Sequence, residues 1–225
     1  MKLYYKNKNA FVESQTEQLL TGYRRDLQIN QPEHLELWTT NERLVEECQD
    51  IARRYSIEII SIGEYTYLPL LCNEAHGRIK ANYKNGQRTK ILYVADLSLD
   101  GWALLLAIIN TLHQQMKLMD MVNCERCALN PEQVKKYELP YSSLEKLKVS
   151  DSRKSDYIEI FGDMILELNE ISPEILEILI KEAIEENLNM ETFREQREIE
   201  AFEINEIAVL KGEVNKAVEI YTKDW

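Results

Sequence analysis

The sequence predicts an α/β fold: a parallel sheet of about four strands flanked by helices, followed by an acidic helical extension. Three observations carry this prediction. Short apolar runs of strand length recur at 35–39, 57–62, 90–97 and 119–124. Between them lie segments with helical spacing, and strands alternating with helices at this interval indicate βαβ units and a parallel sheet. The charge is also segregated, with 17 acids and 6 bases after residue 162 against 22 acids and 21 bases before it. This gives a helical lead-in at 1–33, an α/β core at 34–162 and an acidic helical region at 163–225.

Each element has a local reason. Leu-Glu-Leu-Trp-Thr at 35–39 forms the first strand, and Thr40 or Asn41 can cap the next helix. Leu44, Val45, Cys48, Ile51 and Ala52 then recur at helical spacing. A β-branched run at 57–62 ends at Gly63. Residues 68–84 read as a helix stopped by the Asn85-Gly86 turn. The run 90–97 is a buried strand reaching the acid Asp96, 101–118 is the most apolar helix, and 119–124 supplies a fourth strand. Pro131 starts a short helix, and 138–156 is polar and turn-rich. Ser172-Pro173-Glu174 opens a helix with an apolar face of Ile175, Leu176, Leu179, Ile180, Ala183 and Ile184. A last helical pattern covers 190–221, with Gly212 as a break point. Working residues of parallel sheets sit at the carboxyl ends of strands, so 39–41, 63–65 and 96–100 are expected at one rim.

Composition bounds the function. The 225 residues carry a net charge of −12, yet almost all of it lies after residue 162. The core is electrically neutral and stays open to a nucleic-acid role, which needs concentrated Lys and Arg. Polar Asn7-Lys8-Asn9 comes soon after the start, so no signal peptide is expected, and the longest apolar stretch, 102–109, is too short to span a bilayer. The four cysteines (48, 72, 124 and 127) then read as reduced thiols of a cytoplasmic protein. Cys124-x-x-Cys127 has the spacing of a zinc or redox pair, but no second pair or suitably placed His completes four ligands. A structural role is the expectation.

The segment Ile91-Leu92-Tyr93-Val94-Ala95-Asp96-Leu97-Ser98-Leu99-Asp100-Gly101-Trp102 resembles the strand-end Asp-x-Asp-Pro-x-Gly motif of Toprim domains, the magnesium-binding fold of topoisomerases, primases and some nucleases. Further matches occur in order, to a bacterial and mobile-element group distantly related to the topoisomerase VI type. They are Tyr23-Arg24-Arg25-Asp26-Leu27, the stretch from Gln31 to Trp38, Arg126-Cys127-Ala128-Leu129 with Glu132-Gln133 and Leu139-Pro140, Asp151-Ser152-Arg153, Gly162, and Glu167-Leu168-Asn169-Glu170-Ile171. The resemblance covers about residues 20–190. It implies a Toprim-like, Rossmann-like core and a rim site of Thr40, Asn41, Asp96, Ser98, Asp100 and Glu167.

The departures from that pattern set the expectation for function. The family places a Glu after the first strand, commonly in Trp-x-Glu-Lys; this chain has Trp38-Thr39-Thr40-Asn41. The second motif acid is Ser98, and the closing Glu-Leu-Asp ends in Asn169. Magnesium wants anionic oxygens in near-octahedral geometry, so Asp96 and Asp100 form a weak metal pair, with Glu36 and Glu64 as nearby acids. Loss of an acid/base partner removes roughly 10²–10⁴-fold of rate. The expectation is a degenerate site with no cofactor, in a binding or regulatory component of nucleic-acid metabolism or of mobile-element and defence systems. The alternatives are a Mg²⁺-dependent nuclease or topoisomerase-related enzyme with rearranged acids, and a purely protein-binding assembly subunit. No acid occurs between Ala75 and Ala95, while Arg78, Lys80, Lys84, Arg88 and Lys90 are basic and Tyr83 lies among them. These are the candidate nucleic-acid contacts, and the acidic C-terminal helices are the candidate surface for a basic protein partner.

Overall fold

The computed structural model describes residues 4–62, 68–145 and 151–222. Two compact units are present: Gln28–Thr192, and Met1–Leu27 with Phe193–Trp225. The acidic region beginning at residue 163 is therefore divided, its first helix belonging with the sheet and most of its last helix with the chain's N-terminal segment.

The larger unit is a four-stranded, all-parallel sheet in the order β2-β1-β3-β4. Its strands are β1 (Glu33–Thr39), β2 (Glu58–Ser61), β3 (Arg88–Val94) and β4 (Val122–Ala128). Parallel strands need crossovers, and helices supply them. β1 passes to β2 through α2 (Glu42–Glu47) and α3 (Gln49–Arg54), two short helices divided at Cys48. β2 reaches β3 through α4 (Leu68–Lys84), and β3 reaches β4 through α5 (Leu99–Asn110), which runs on into a π-helical turn at Thr111–Gln115. Beyond β4 come α6 (Pro131–Lys136), α7 (Lys154–Phe161) and α8 (Pro173–Asn187).

Two faces arise from the two-residue alternation of strands. Trp38, Ile91, Tyr93 and Cys124 pack with Cys72, Ala75 and Ile79 of α4 and with Leu104, Leu105 and Ile108 of α5. Leu35, Leu37, Leu92 and Val94, all buried, turn to the opposite side, and α8 packs against β4. A sheet covered on both faces explains the near-continuous apolar reading of β3.

Two elements depart from the sequence expectation. The fourth strand runs Val122–Ala128 rather than 119–124, because Glu125 and Arg126 look like loop residues in one dimension yet pair with Leu92 and Tyr93. α7 lies at the end of the stretch read as polar and turn-rich.

The second unit contains α1 (Lys8–Gln18) and the length of α9 (Met190–Thr222) from Phe193 onward. Asn7 caps α1, its side-chain oxygen accepting from the Ala10 amide at 2.9 Å. Gly212 does not break α9, whose 33 residues span about 50 Å at ~1.5 Å per residue. Among the described residues no helix is long and apolar enough to cross a membrane.

Candidate functional site

The carboxyl ends of β1 and β3 open onto a cavity of about 420 Å³ lined by Thr40, Asp96, Ser98, Asp100, Gly101, Ala103, Leu104 and Arg153. Four of the expected rim residues, Thr40, Asp96, Ser98 and Asp100, thus share one concavity. Glu167 lines an adjoining cavity of about 240 Å³ with Ser98, Ser142 and Glu170. Asn41 lines neither. Gly63, Glu64 and Tyr65, also expected at the rim, lie outside the described residues.

The polar groups of this rim are engaged in local structure. Asn41 is the N-cap of α2, its side-chain oxygen accepting from the Arg43 amide at 3.0 Å. The Thr39 hydroxyl accepts from the Asn41 amide at 3.1 Å. Ser98 is the N-cap of α5 and accepts from the Gly101 amide at 3.1 Å. Such caps satisfy amides that a helix start leaves without partners. Asp96 Oδ1 accepts from the Leu168 amide at 2.7 Å, and the backbones of Leu97 and Leu166 exchange two hydrogen bonds nearby, at 2.9 and 3.0 Å. The β3 end and the segment around residues 166–168 are thereby joined.

Of the proposed substitute acids, Asp100 lines the rim cavity and Glu36 stands away from it. Asp100 projects into solvent, and Arg153 Nη2 approaches its Oδ1 at 3.6 Å. Arg153 itself forks onto Asp151, whose carboxyl is held down to about 2 by that guanidinium. Glu36 is only 1% exposed. It lies inside the sheet, accepting from Arg78 Nε and Nη2, both at 3.1 Å, and from Trp38 Nε1 at 2.9 Å. Strand alternation places it on the α4 face, three residues before the last residue of β1.

Sequence reasoning did not identify the most unusual group of the site, Arg126. It is 9% exposed. Its guanidinium lies between the rings of Tyr93 and Phe161, 5.5 and 5.6 Å from their centroids, a cation–π arrangement. Nη1 donates to the carbonyls of Ala95 (3.1 Å), Asp96 (3.0 Å) and Leu129 (3.4 Å). Nε and Nη2 have no hydrogen-bond partner among the described residues, and burial pushes the guanidinium's affinity for its proton down. The cation therefore clamps the carboxyl ends of β3 and β4 through backbone oxygens. One sequence signal pointed to it: 122, 124 and 126 share the inward parity of β4.

The magnesium ion that the resemblance implies does not fit these residues. Asp96 has one oxygen committed to Leu168, Asp100 faces Arg153, Ser98 caps a helix, and a buried guanidinium contacts the Asp96 carbonyl. Among the described residues no group of three or more His, Cys, Asp or Glu side chains is placed to hold a metal ion. A hydrated magnesium ion wants carboxylate oxygens that are free to turn toward it.

The basic stretch is also partly spent. Arg78 pairs with Glu36 and lies 3.7 Å from Glu58, and Lys90 Nζ sits 2.6 Å from Glu125. Both side chains are thus engaged with acids of neighbouring strands. Lys80, Lys84 and Arg88 are exposed, as is Tyr83 at 45%. They lie at the end of α4 and the start of β3, at the opposite end of the strands from the rim, so the rim and this basic stretch are separate surfaces.

The cysteines are all buried. Cys124 packs into the core with α4 and α5, while Cys127 lines a cavity with residues of α6 and α8, so the two do not form a chelating pair. Burial pushes the Cys48, Cys124 and Cys127 thiols up to about 12 and that of Cys72 to about 11. Since thiolate is the reactive form, an aromatic disulfide reagent at pH 8 is expected to label the native protein at least tenfold more slowly than the urea-unfolded chain. Rapid native labelling of two or more thiols would contradict this. The linked effect on stability has a definite sign. It is fully present below the ordinary thiol value of 9.0 and is lost as pH rises through 11–12. Comparison with family models, with curated proteins and with solved structures gives no match.

Proposed function

We propose that this chain is a Toprim-like protein that has exchanged catalysis for binding, serving as a binding or regulatory component in nucleic-acid metabolism. The observation that carries this reading is the employment of the rim's polar groups. At the positions where the resemblance calls for acids or a lysine, Asn41 and Ser98 cap helices, and the retained Asp96 holds the Leu168 amide. Asn41 and Ser98 bring no carboxylate, and Asp96 has one oxygen engaged, so the rim offers few of the anionic oxygens that a two-metal centre draws on. The nucleic-acid part rests on Lys80, Lys84 and Arg88, which are exposed, with Tyr83 available to stack on a base.

Two measurements test it. With Mg²⁺ or Mn²⁺ present, single- and double-stranded DNA and RNA are expected to remain intact. A metal-dependent cleavage that Asp96→Ala abolishes would replace this reading with the enzyme. In a gel shift, binding is expected to persist in EDTA, and three phosphate contacts give a log–log salt slope of about −2 to −3. The Lys80→Glu/Lys84→Glu/Arg88→Glu variant is expected to weaken binding at least tenfold. No shift at low salt would leave the protein-binding assembly subunit in its place.

A further inference from the structure

The long helix α9 carries large apolar side chains on its outward side as well as on its inward one. Inward, Phe193 is buried and Ile207, Val214 and Val218 are half-buried, beside polar positions held within the same unit. Gln196 and Glu200 are buried, and Arg25 binds Gln196 through Nε at 2.9 Å, Glu200 through its amide at 3.2 Å and Glu203 through Nη1 at 2.7 Å. Tyr23 donates to Glu203 at 2.6 Å, and Lys211 to the Glu17 carbonyl at 2.7 Å. Outward positions also carry apolar side chains: Phe202 is 63% exposed, Val209 65% and Ile220 65%, with Ile199 and Leu210 beside them at 39% and 48%. Steps of seven and eleven residues from Phe202 to Val209 to Ile220 are about two and three helical turns, so the three lie on one line. Three large apolar side chains, each more than 60% exposed and aligned among charged residues on one side of a helix, mark a mixed apolar and acidic interaction surface.

The charges on the same face decide what covers it. At about 100° per residue, Glu195, Glu198, Glu206 and Glu213 fall within about 40° of the Phe202 direction, against Lys216 alone among bases. All five are exposed. A second copy laid along this stripe would set carboxylates against carboxylates, and like-charge juxtaposition disfavours that pairing. We infer that the outward face of α9 docks a basic amphipathic helix of another protein, apolar residues in its seam and Lys or Arg at its margins. The inference is independent of the nucleic-acid reading, since no residue of the rim or of the 78–90 stretch takes part.

The test uses the full chain and two synthetic 20-residue amphipathic peptides with the same leucine face, one with lysine and one with glutamate on the polar positions. By titration calorimetry or fluorescence anisotropy, the lysine peptide is expected to bind at least tenfold more tightly than the glutamate peptide. Phe202→Ser/Val209→Ser is expected to weaken that binding at least tenfold. Ile178→Ser, at an apolar α8 position 44% exposed, is expected to leave it unchanged. The charge-reversed Glu206→Lys/Glu213→Lys chain is expected to shift preference toward the glutamate peptide, and this arm keeps the test decisive should the serine variant lose helix content. Equal affinity for both peptides, no loss in the serine variant, or an equal loss in the Ile178 variant would each overturn the inference. So would a concentration-dependent dimer in sedimentation that Phe202→Ser/Val209→Ser dissolves, which would make the occupant a second copy.

Discussion

Replacing Arg78 with leucine is expected to destabilise the fold by about 3 kcal/mol, the lower end of the range for a buried ion pair broken on one side. The lower end applies because the Arg78 side chain is 36% exposed while that of Glu36 is 1% exposed. The cost arises from the group left behind. Glu36 would keep its place between Trp38 and the α4 face, with one indole N–H in place of three donors, and a carboxylate removed from water without its counter-ion is expensive. The double variant Glu36→Leu/Arg78→Leu is expected to recover much of the loss, since exchanging a whole buried pair for apolar side chains is often close to neutral. Recovery would be incomplete, because the Trp38 indole N–H then loses its acceptor. Urea unfolding at neutral pH checks both. If the single variant costs under 1 kcal/mol, or the double variant costs more than the single, this account of the pair fails.

The second large effect concerns Gly101. A β-carbon there would fall inside the van der Waals envelope of the Asp96 carbonyl oxygen, 3.2 Å from Arg126 Nη2 and 3.3 Å from the Ser98 hydroxyl. The first contact is with backbone and cannot be relieved by a rotamer change. Gly101→Ala is expected to cost about 1–3 kcal/mol, as overpacking does, and to displace the 95–98 turn that Arg126 clamps. Gly77 supplies the opposite sign. It sits within α4, where an added β-carbon meets nothing within 4 Å, so Gly77→Ala is expected to stabilise by about 0.5–1 kcal/mol. Denaturant midpoints measured side by side decide the matter: two shifts in the same direction would show that close approach is not what selects glycine at 101.

Much of the architecture could be read from one dimension because its signals were local. α4 ends where Asn85-Gly86 forces it to, and α8 begins where Ser172 and Pro173 prescribe a start. The rim residues came together because the ends of parallel strands are neighbours by topology. The features that stayed hidden depend on distance along the chain. Glu36 and Arg78 are 42 residues apart, and no periodicity announces that one neutralises the other. Periodicity alone left Arg126 outside the fourth strand, since a buried guanidinium held by carbonyls through Nη1 and by ring faces reads as a surface residue until those partners are placed. α7 escaped because Lys154 to Phe161 alternates charge and apolar side chains without a marked stripe, and Tyr157 and Phe161 become informative only when Trp102 lies beside them.

The same long separations govern how the chain is made. Register pairs Glu33 with Arg88 and Thr39 with Val94, so β1 waits roughly 55 residues for its inner neighbour. At about 5–20 residues per second of synthesis, that is about 3–11 seconds in which β1 can be paired by the four-residue β2 alone. During that interval Leu35, Leu37 and Trp38 offer an open edge to any nascent strand nearby. The order of strands that gathers the rim in the finished molecule therefore makes β1 the segment most in need of protection at the ribosome.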